Sequence, residues 1–198
     1  LSDPPSCVVR ATERALAILA DAKQSAENRS FALRLAVHFI GDLHQPLHSG
    51  DRRDKGGNAL RVSFAGRTSN LHAVWDYELI AWTKRSVADY VDLLARSLTN
   101  NDARRFRRGT VRDWTEEAQR AARSAYAKLP APGDRTEPLE LDDRYAAAVL
   151  PLLDEQLLRA GVRLAAALDS ALAKPGKRVS ESQLTAARAC GAPAPNPD

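Results

Sequence analysis

Asp42 stands in the most apolar stretch of this chain, four residues after His38. The stretch runs from Phe31 to about His44 and carries Leu33, Leu35, Ala36, Val37, Phe39, Ile40 and Leu43. Apolar positions on nearly every side predict a central, buried helix. A carboxylate buried there without a partner would be costly. His38 shares its helix face, because residues four apart lie side by side, roughly 6 Å apart along the axis. The same unit, His-x-x-x-Asp, recurs at His72 and Asp76. Pro46 ends the first helix, since proline lacks an N–H and disfavours helix at the residue before it. His48 then falls on the turn beyond and can fold back. His44 is six residues from His38, about 240° round the helix, so it points elsewhere and is not counted as a ligand.

Imidazole nitrogen and carboxylate oxygen are both zinc ligands. A lone His on an apolar helix is ordinarily a satisfied core residue, and one His-x-x-x-Asp pair is ordinarily a hydrogen bond. Here three of the chain's four histidines fall into this pattern. His38, Asp42, His48, His72 and Asp76 are therefore read as parts of one multinuclear zinc site. Five ligands exceed what one tetrahedral zinc needs while keeping an open position. They are too few for two or three fully dressed catalytic metals, so further ligands are expected outside these motifs.

Composition sets the frame. At 198 residues the chain suggests one domain with a sizeable core. Hydrophobic residues at 44% and charged residues at 27% are ordinary for a soluble globular protein. The net charge of +4 suits a polyanionic partner without establishing one. No apolar run approaches the roughly 18 residues of a membrane span. Leu1-Ser2-Asp3-Pro4-Pro5 has neither the basic nor the apolar region of a signal peptide. The chain has no methionine, and its start at Leu1 is read as the loss of a natural beginning, by processing or because it is a fragment. Cys7 and Cys190 are not in a C-x-x-C arrangement, which argues against a cysteine zinc site. One disulfide in an oxidising compartment and two free thiols both stay open.

The rest of the chain reads as mostly helical. Residues 8 to 26 show helical spacing, and Asn28-Arg29-Ser30 supplies a break and an N-cap candidate. Gly50 to Asn58 is a polar loop whose Gly56-Gly57-Asn58 is weak evidence for phosphate binding. Ala59 to Phe64 predicts a short strand, with a turn at Ala65-Gly66-Arg67. Ser69 or Asn70 caps a helix through Trp75 to about Trp82. Ser86 opens a helix to Leu98, capping-box style, with Asp89 in place of the usual Glu or Gln. Arg104-Arg105-Phe106-Arg107-Arg108 is a basic cluster, read as a solvated patch ahead of a phosphate grip. Thr110 to Leu129 is an amphipathic helix, and Pro130 to Pro138 a loop. Leu141 to Leu172 is helical, with Pro151 a candidate bend. After Lys174-Pro175-Gly176 comes a short helix, Glu181 to Ala189, and then a disordered tail, Gly191 to Asp198.

Taken together, His38-Phe-Ile-Gly-Asp-Leu-His-Gln-Pro-Leu-His48, Gly56-Gly57-Asn58 and Asn70-Leu-His-Ala-Val-Trp-Asp76 resemble the core of the S-one/P-one nuclease family. Weaker likeness runs from Cys7 to about residue 170. The resemblance implies an all-α fold of the phospholipase C and single-strand-nuclease type, with a short β-hairpin. It implies a nuclease domain over 1–173, incomplete at its N-terminus, and a tail over 174–198. It also implies a secreted or periplasmic, monomeric enzyme acting on single-stranded nucleic acid and nucleotides, with three zinc ions in the complete protein.

By that resemblance His38 and Asp42 are ligands on one helix, with Asp42 bridging two zincs, and His48, His72 and Asp76 hold a second zinc. The family's N-terminal tryptophan, two histidines and an aspartate would precede Leu1. Only the His48, His72 and Asp76 position thus keeps its full protein set, and one or two zincs are supportable here. A truncated longer protein is favoured over a degenerate chain. Glu78 lies near where the family places a base-contacting side chain, but no residue is assigned to that role. The alternatives are a zinc-dependent phospholipase C-like esterase and a non-catalytic helical protein with one structural zinc.

Overall fold

The computed structural model describes residues 7–131 and 136–173. It is an all-α fold with one small sheet. Helix α1, Cys7–Ala20, packs along α2, Ala26–Leu43. Their contact is made by small residues facing large ones, with Ala11, Ala15, Ala36, Leu35 and Phe39 all buried. The first helix ends earlier than its apolar spacing predicts. Asp21 terminates it, and the Asp21 carboxylate accepts from the Lys23 N–H at 3.0 Å. The second begins earlier than Asn28, because Ser25 supplies the N-cap and accepts from the Asn28 N–H.

Helix α2 is not buried on all sides. Leu33 is 38% exposed and Val37 44%, on the side that also carries His38. The opposite side meets α1 and the C-terminal helix. Apolar residues alone do not say which faces of a helix acquire neighbours, and this corrects the sequence expectation.

After α2 the chain makes the one-turn helix α3, Pro46–Ser49, with Pro46 in its first turn. A loop leads to the hairpin of β1, Arg61–Phe64, and β2, Arg67–Asn70. Ala65 and Gly66 both have positive φ, 51° and 75°, as a type I′ hairpin turn demands. A third strand, β3, Leu139–Leu141, pairs parallel to β1, with Phe64 opposite Leu141. Its three residues follow the loop read at Pro130 to Pro138 and take in Leu141, read as the start of the next helix, and they are too few for a period to show. The long helix starts after it rather than at Leu141.

Next come α4, Leu71–Ala73, a π-helical turn, Val74–Glu78, and α5, Leu79–Trp82, in one unbroken run. Asn70 caps the start, accepting from the Ala73 N–H at 2.9 Å. Helix α6, Val87–Ser97, is capped by Ser86, which accepts from the Asp89 N–H and donates its hydroxyl to the Asp89 carboxylate, half of the capping box the sequence predicts. Helix α7, Asn100–Phe106, and the turn after it carry the basic cluster, whose Arg104, Arg105, Arg107 and Arg108 are exposed, as the reading of a solvated patch expects. Its Phe106 is buried, with the guanidinium groups of Arg105 and Arg159 4.9 and 4.7 Å from its ring centre. The aromatic therefore anchors α7 rather than serving an exposed nucleic-acid patch. Helix α8, Val111–Ala127, opens with a full capping box between Thr110 and Asp113. Helix α9, Asp143–Ala173, is continuous through Pro151.

The largest core lies directly behind α3 and the Leu71–Trp82 run. Leu47, Val62, Phe64, Leu71, Val74 and Trp75 meet Tyr126, Tyr145 and Val149 there. Trp75 donates to the Tyr145 hydroxyl at 2.9 Å, which satisfies its buried indole N–H. No helix among the described residues is long and apolar enough to cross a membrane. The expected helix at Glu181 to Ala189, the tail and Cys190, with any pairing to Cys7, lie outside the described residues.

Candidate metal centre

Three separate pieces of chain bring the five predicted residues into one file. On α2, His38 Nε2 lies 3.2 Å from Asp42 Oδ2. Asp42 Oδ1 lies 3.7 Å from His48 Nδ1 on α3. His48 Nε2 is 3.5 Å from Asp76 Oδ1 in the π turn. Asp76 Oδ2 is 3.5 Å from His72 Nε2 on α4. His48 and His72 stack, with ring centroids 4.9 Å apart and planes 13° from parallel.

The file is open to solvent. The side chain of His38 is 57% exposed and that of Asp42 34%. The expectation that Asp42 needs a partner because it is buried therefore fails. What places the two groups together is helix geometry, not desolvation.

His48, His72 and Asp76 stand out from the rest. One ligand atom from each can be chosen so that all lie within 4.8 Å of one another. His72 is also oriented from behind. Its Nδ1 donates to the Gly56 carbonyl at 2.7 Å, which leaves Nε2 as the bare nitrogen facing Asp76. Such a backing bond fixes tautomer and ring direction in metal-ligating histidines. The donor set and its outer partner fit a metal that accepts imidazole and carboxylate.

The Gly56-Gly57 pair also serves the packing of the loop that supplies the Gly56 carbonyl. Both residues have positive φ, 61° and 85°. A Cβ on Gly56 would stand 2.4 Å from the Leu47 carbonyl oxygen, and one on Gly57 3.1 Å from the His72 backbone nitrogen. The loop is pressed between α3 and α4, and glycine permits the approach. Asp51 and Asp54 stitch the loop to itself, accepting from the Gly56 and Gly57 N–H groups. Tyr126 of α8 donates to Asp54 at 2.7 Å and ties it to the core. A cavity of about 350 Å³ opens beside His48 and His72, with Asp51 and Lys55 among its lining residues.

His44 lies outside the site, as its helical position predicts. It is buried, its Nδ1 donates to the Ile40 carbonyl at 2.7 Å, and Arg163 faces its Nε2. Burial lowers its pKa to about 4. Glu78 turns to the hairpin, where its carboxylate accepts from the Ser69 hydroxyl at 2.5 Å.

Sequence reasoning missed Gln45, whose amide Nε2 donates to Asp76 Oδ1 at 2.6 Å. Its position just before a helix-opening proline marks it as a cap, but nothing local marks its reach to Asp76.

A family model described as S1/P1 Nuclease matches residues 2–173. The chain belongs to the S1/P1 nuclease family. Endonuclease 2 of Arabidopsis thaliana is 34% identical over 164 residues, covering 76% of this chain and 54% of that protein. Nuclease S1 of Aspergillus oryzae is 27% identical over 187 residues, covering 85% of this chain and 63% of that protein. Nuclease P1 of Penicillium citrinum is 44% identical over a shorter piece of 71 residues, 36% of this chain. The chain spans about half the length of the curated relatives it matches first. The family match covers every described element, from α1 to the end of α9.

Proposed function

We propose that this chain forms the part of a zinc-dependent endonuclease that holds its best-formed metal position. The whole protein would hydrolyse phosphodiester bonds of single-stranded DNA and RNA to 5′-phosphate products, and remove 3′-phosphates from nucleotides. The observation that carries the reading is the convergence of His48, His72 and Asp76 within 4.8 Å, in a member of the S1/P1 nuclease family.

His48, His72 and Asp76 would hold one zinc. Asp42 lies between His38 and His48, at 3.2 and 3.7 Å, a place from which its two oxygens can serve two ions. The five donors support one or two of the three zincs read for the complete protein. Zinc in an open site of this kind lowers the pKa of a water and polarises a phosphoryl oxygen.

The remaining work falls to the chain itself. Gly56 holds His72 in the tautomer whose Nε2 faces the site. Lys55 lines the adjoining cavity and offers a cation to a phosphate bound there. The net charge of +4 favours approach of a polyanion. Action outside the cytoplasm, as a monomer, completes the proposal.

The test is release of acid-soluble nucleotides from single-stranded DNA by the full-length, zinc-loaded protein. Release is expected, and its absence ends the reading. Faster turnover of phosphatidylcholine than of DNA would transfer the site to a phospholipase C-like esterase.

A further inference from the structure

One side chain, that of Gln45, touches both sides of the candidate centre. Its Oε1 accepts from the Leu47 N–H at 2.5 Å, which makes it the cap of α3, the turn that carries His48. Its Nε2 donates to Asp76 Oδ1 at 2.6 Å, across 31 residues of sequence. The two bonds fix the amide between them. A backbone N–H can be met only by the amide oxygen, so the NH2 must face Asp76.

Gln45 is itself held in place. Its own N–H donates to the Asp42 carbonyl at 3.1 Å, so its backbone starts from the turn that carries Asp42. Pro46 follows it and favours the extended backbone that it adopts, φ −81° and ψ 114°. The bond to Asp76 occupies one side of Oδ1 and leaves Oδ2 toward His72 Nε2.

We propose that Gln45 is a positioning residue for the metal centre. By capping the His48 turn and holding the Asp76 carboxylate with the same amide, it sets the spacing of two of the three donors. The proposal rests on the metal reading above and deepens it. Outer partners of this kind are worth about 10–100-fold in metal affinity.

The test measures Zn2+ affinity of the full-length protein by competition with a chromophoric chelator. Wild type is compared with Gln45→Glu, Gln45→Leu and His72→Ala. Gln45→Glu keeps an acceptor for the Leu47 N–H but replaces the donor to Asp76 with a second acceptor. Gln45→Leu removes both contacts. Both Gln45 variants are expected to lose about 10–100-fold in affinity. Metal-free Gln45→Glu should unfold at a higher temperature than metal-free Gln45→Leu, since the cap survives in it alone. Its Co2+ form should show a shifted visible spectrum, because the donors sit differently.

Wild-type affinity and spectrum in Gln45→Glu, with weak binding only in Gln45→Leu, would make Gln45 a helix cap and overturn the proposal. Unchanged affinity in His72→Ala would instead overturn the metal reading, whatever the Gln45 variants do.

Discussion

Arg163 Nη1 meets His44 Nε2 at 2.9 Å inside the core, with the Arg163 side chain only 1% exposed. A guanidinium has no acceptor, so His44 must receive the bond on Nε2 and carry its proton on Nδ1. That proton goes to the Ile40 carbonyl. Arg163 also donates to the Phe106 carbonyl at 2.9 Å and to Glu117 at 2.5 Å. Its guanidinium lies 5.2 Å from the centre of the Trp114 ring. One buried charge thereby joins the ends of α2 and α7 to α8 and α9.

His44 gives the fold a pH dependence. Burial holds its pKa at about 4 in the folded protein, against an ordinary 6.5. Between those values the unfolded chain binds the proton and the folded chain does not. Stability is therefore intact above the upper value and falls as pH drops through the window, by up to about 3 kcal/mol. Chemical denaturation of the metal-free protein should show this fall. His44→Gln should remove that component, and an unchanged slope would count against it.

Glu117 neutralises two arginines, accepting from Arg159 at 2.7 Å as well as from Arg163. Arg159 keeps Glu155 as a second partner, whereas Arg163 keeps no other carboxylate among its described bonds. Glu117→Ala is therefore expected to destabilise the fold by about 3 kcal/mol through the uncompensated buried charge. Urea midpoints measure it, and a change under about 0.5 kcal/mol, ordinary for surface sites, would contradict it.

The metal assignment separates two histidines of opposite kind. His72→Ala should abolish binding of one zinc, while His44→Ala should leave zinc stoichiometry unchanged. Metal analysis after dialysis decides the matter. Equal behaviour of the two variants would sink the assignment.

Gly56→Ala combines a left-handed φ with a Cβ placed 2.4 Å from a backbone oxygen. The loop would have to shift, carrying away the carbonyl that orients His72. A loss of about 1–3 kcal/mol is expected from the strained backbone. Zinc affinity should fall with it. Wild-type stability and affinity in the variant would show that the loop does not back His72.

The candidate site was legible because two of its pairs are local. His38 with Asp42 and His72 with Asp76 are set by helix pitch, and Pro46 announces the break before His48. The hairpin was legible from Ala65-Gly66, and α6 and α8 from their caps. The three-residue β3 and the charged α7 were not, because each takes its stability from partners far away in sequence. Gln45 was hidden for the same reason: its bond to Asp76 exists only once α3 packs beside the π turn. The openness of α2 was misread because its apolar residues looked alike on every side. The role of Gly56-Gly57 was legible in part: glycine marks a backbone that needs positive φ and close approach, but not which neighbours it approaches.

The π turn at Val74–Glu78 closes a bond from the Leu79 N–H to the Val74 carbonyl, five residues back. The run from His72 to Trp82 therefore contains one residue more than an α-helix would use to cover the same turns. Deleting a single residue there would let an ordinary helix cover the same turns, and everything after it would keep its phase. Leu79, now wholly buried, would stay on the core that Trp75 shares with Tyr145, while the turn that carries Asp76 would be rebuilt. The extra residue thus sits in the turn that carries Asp76, where it can set that donor without disturbing the core phase beyond it.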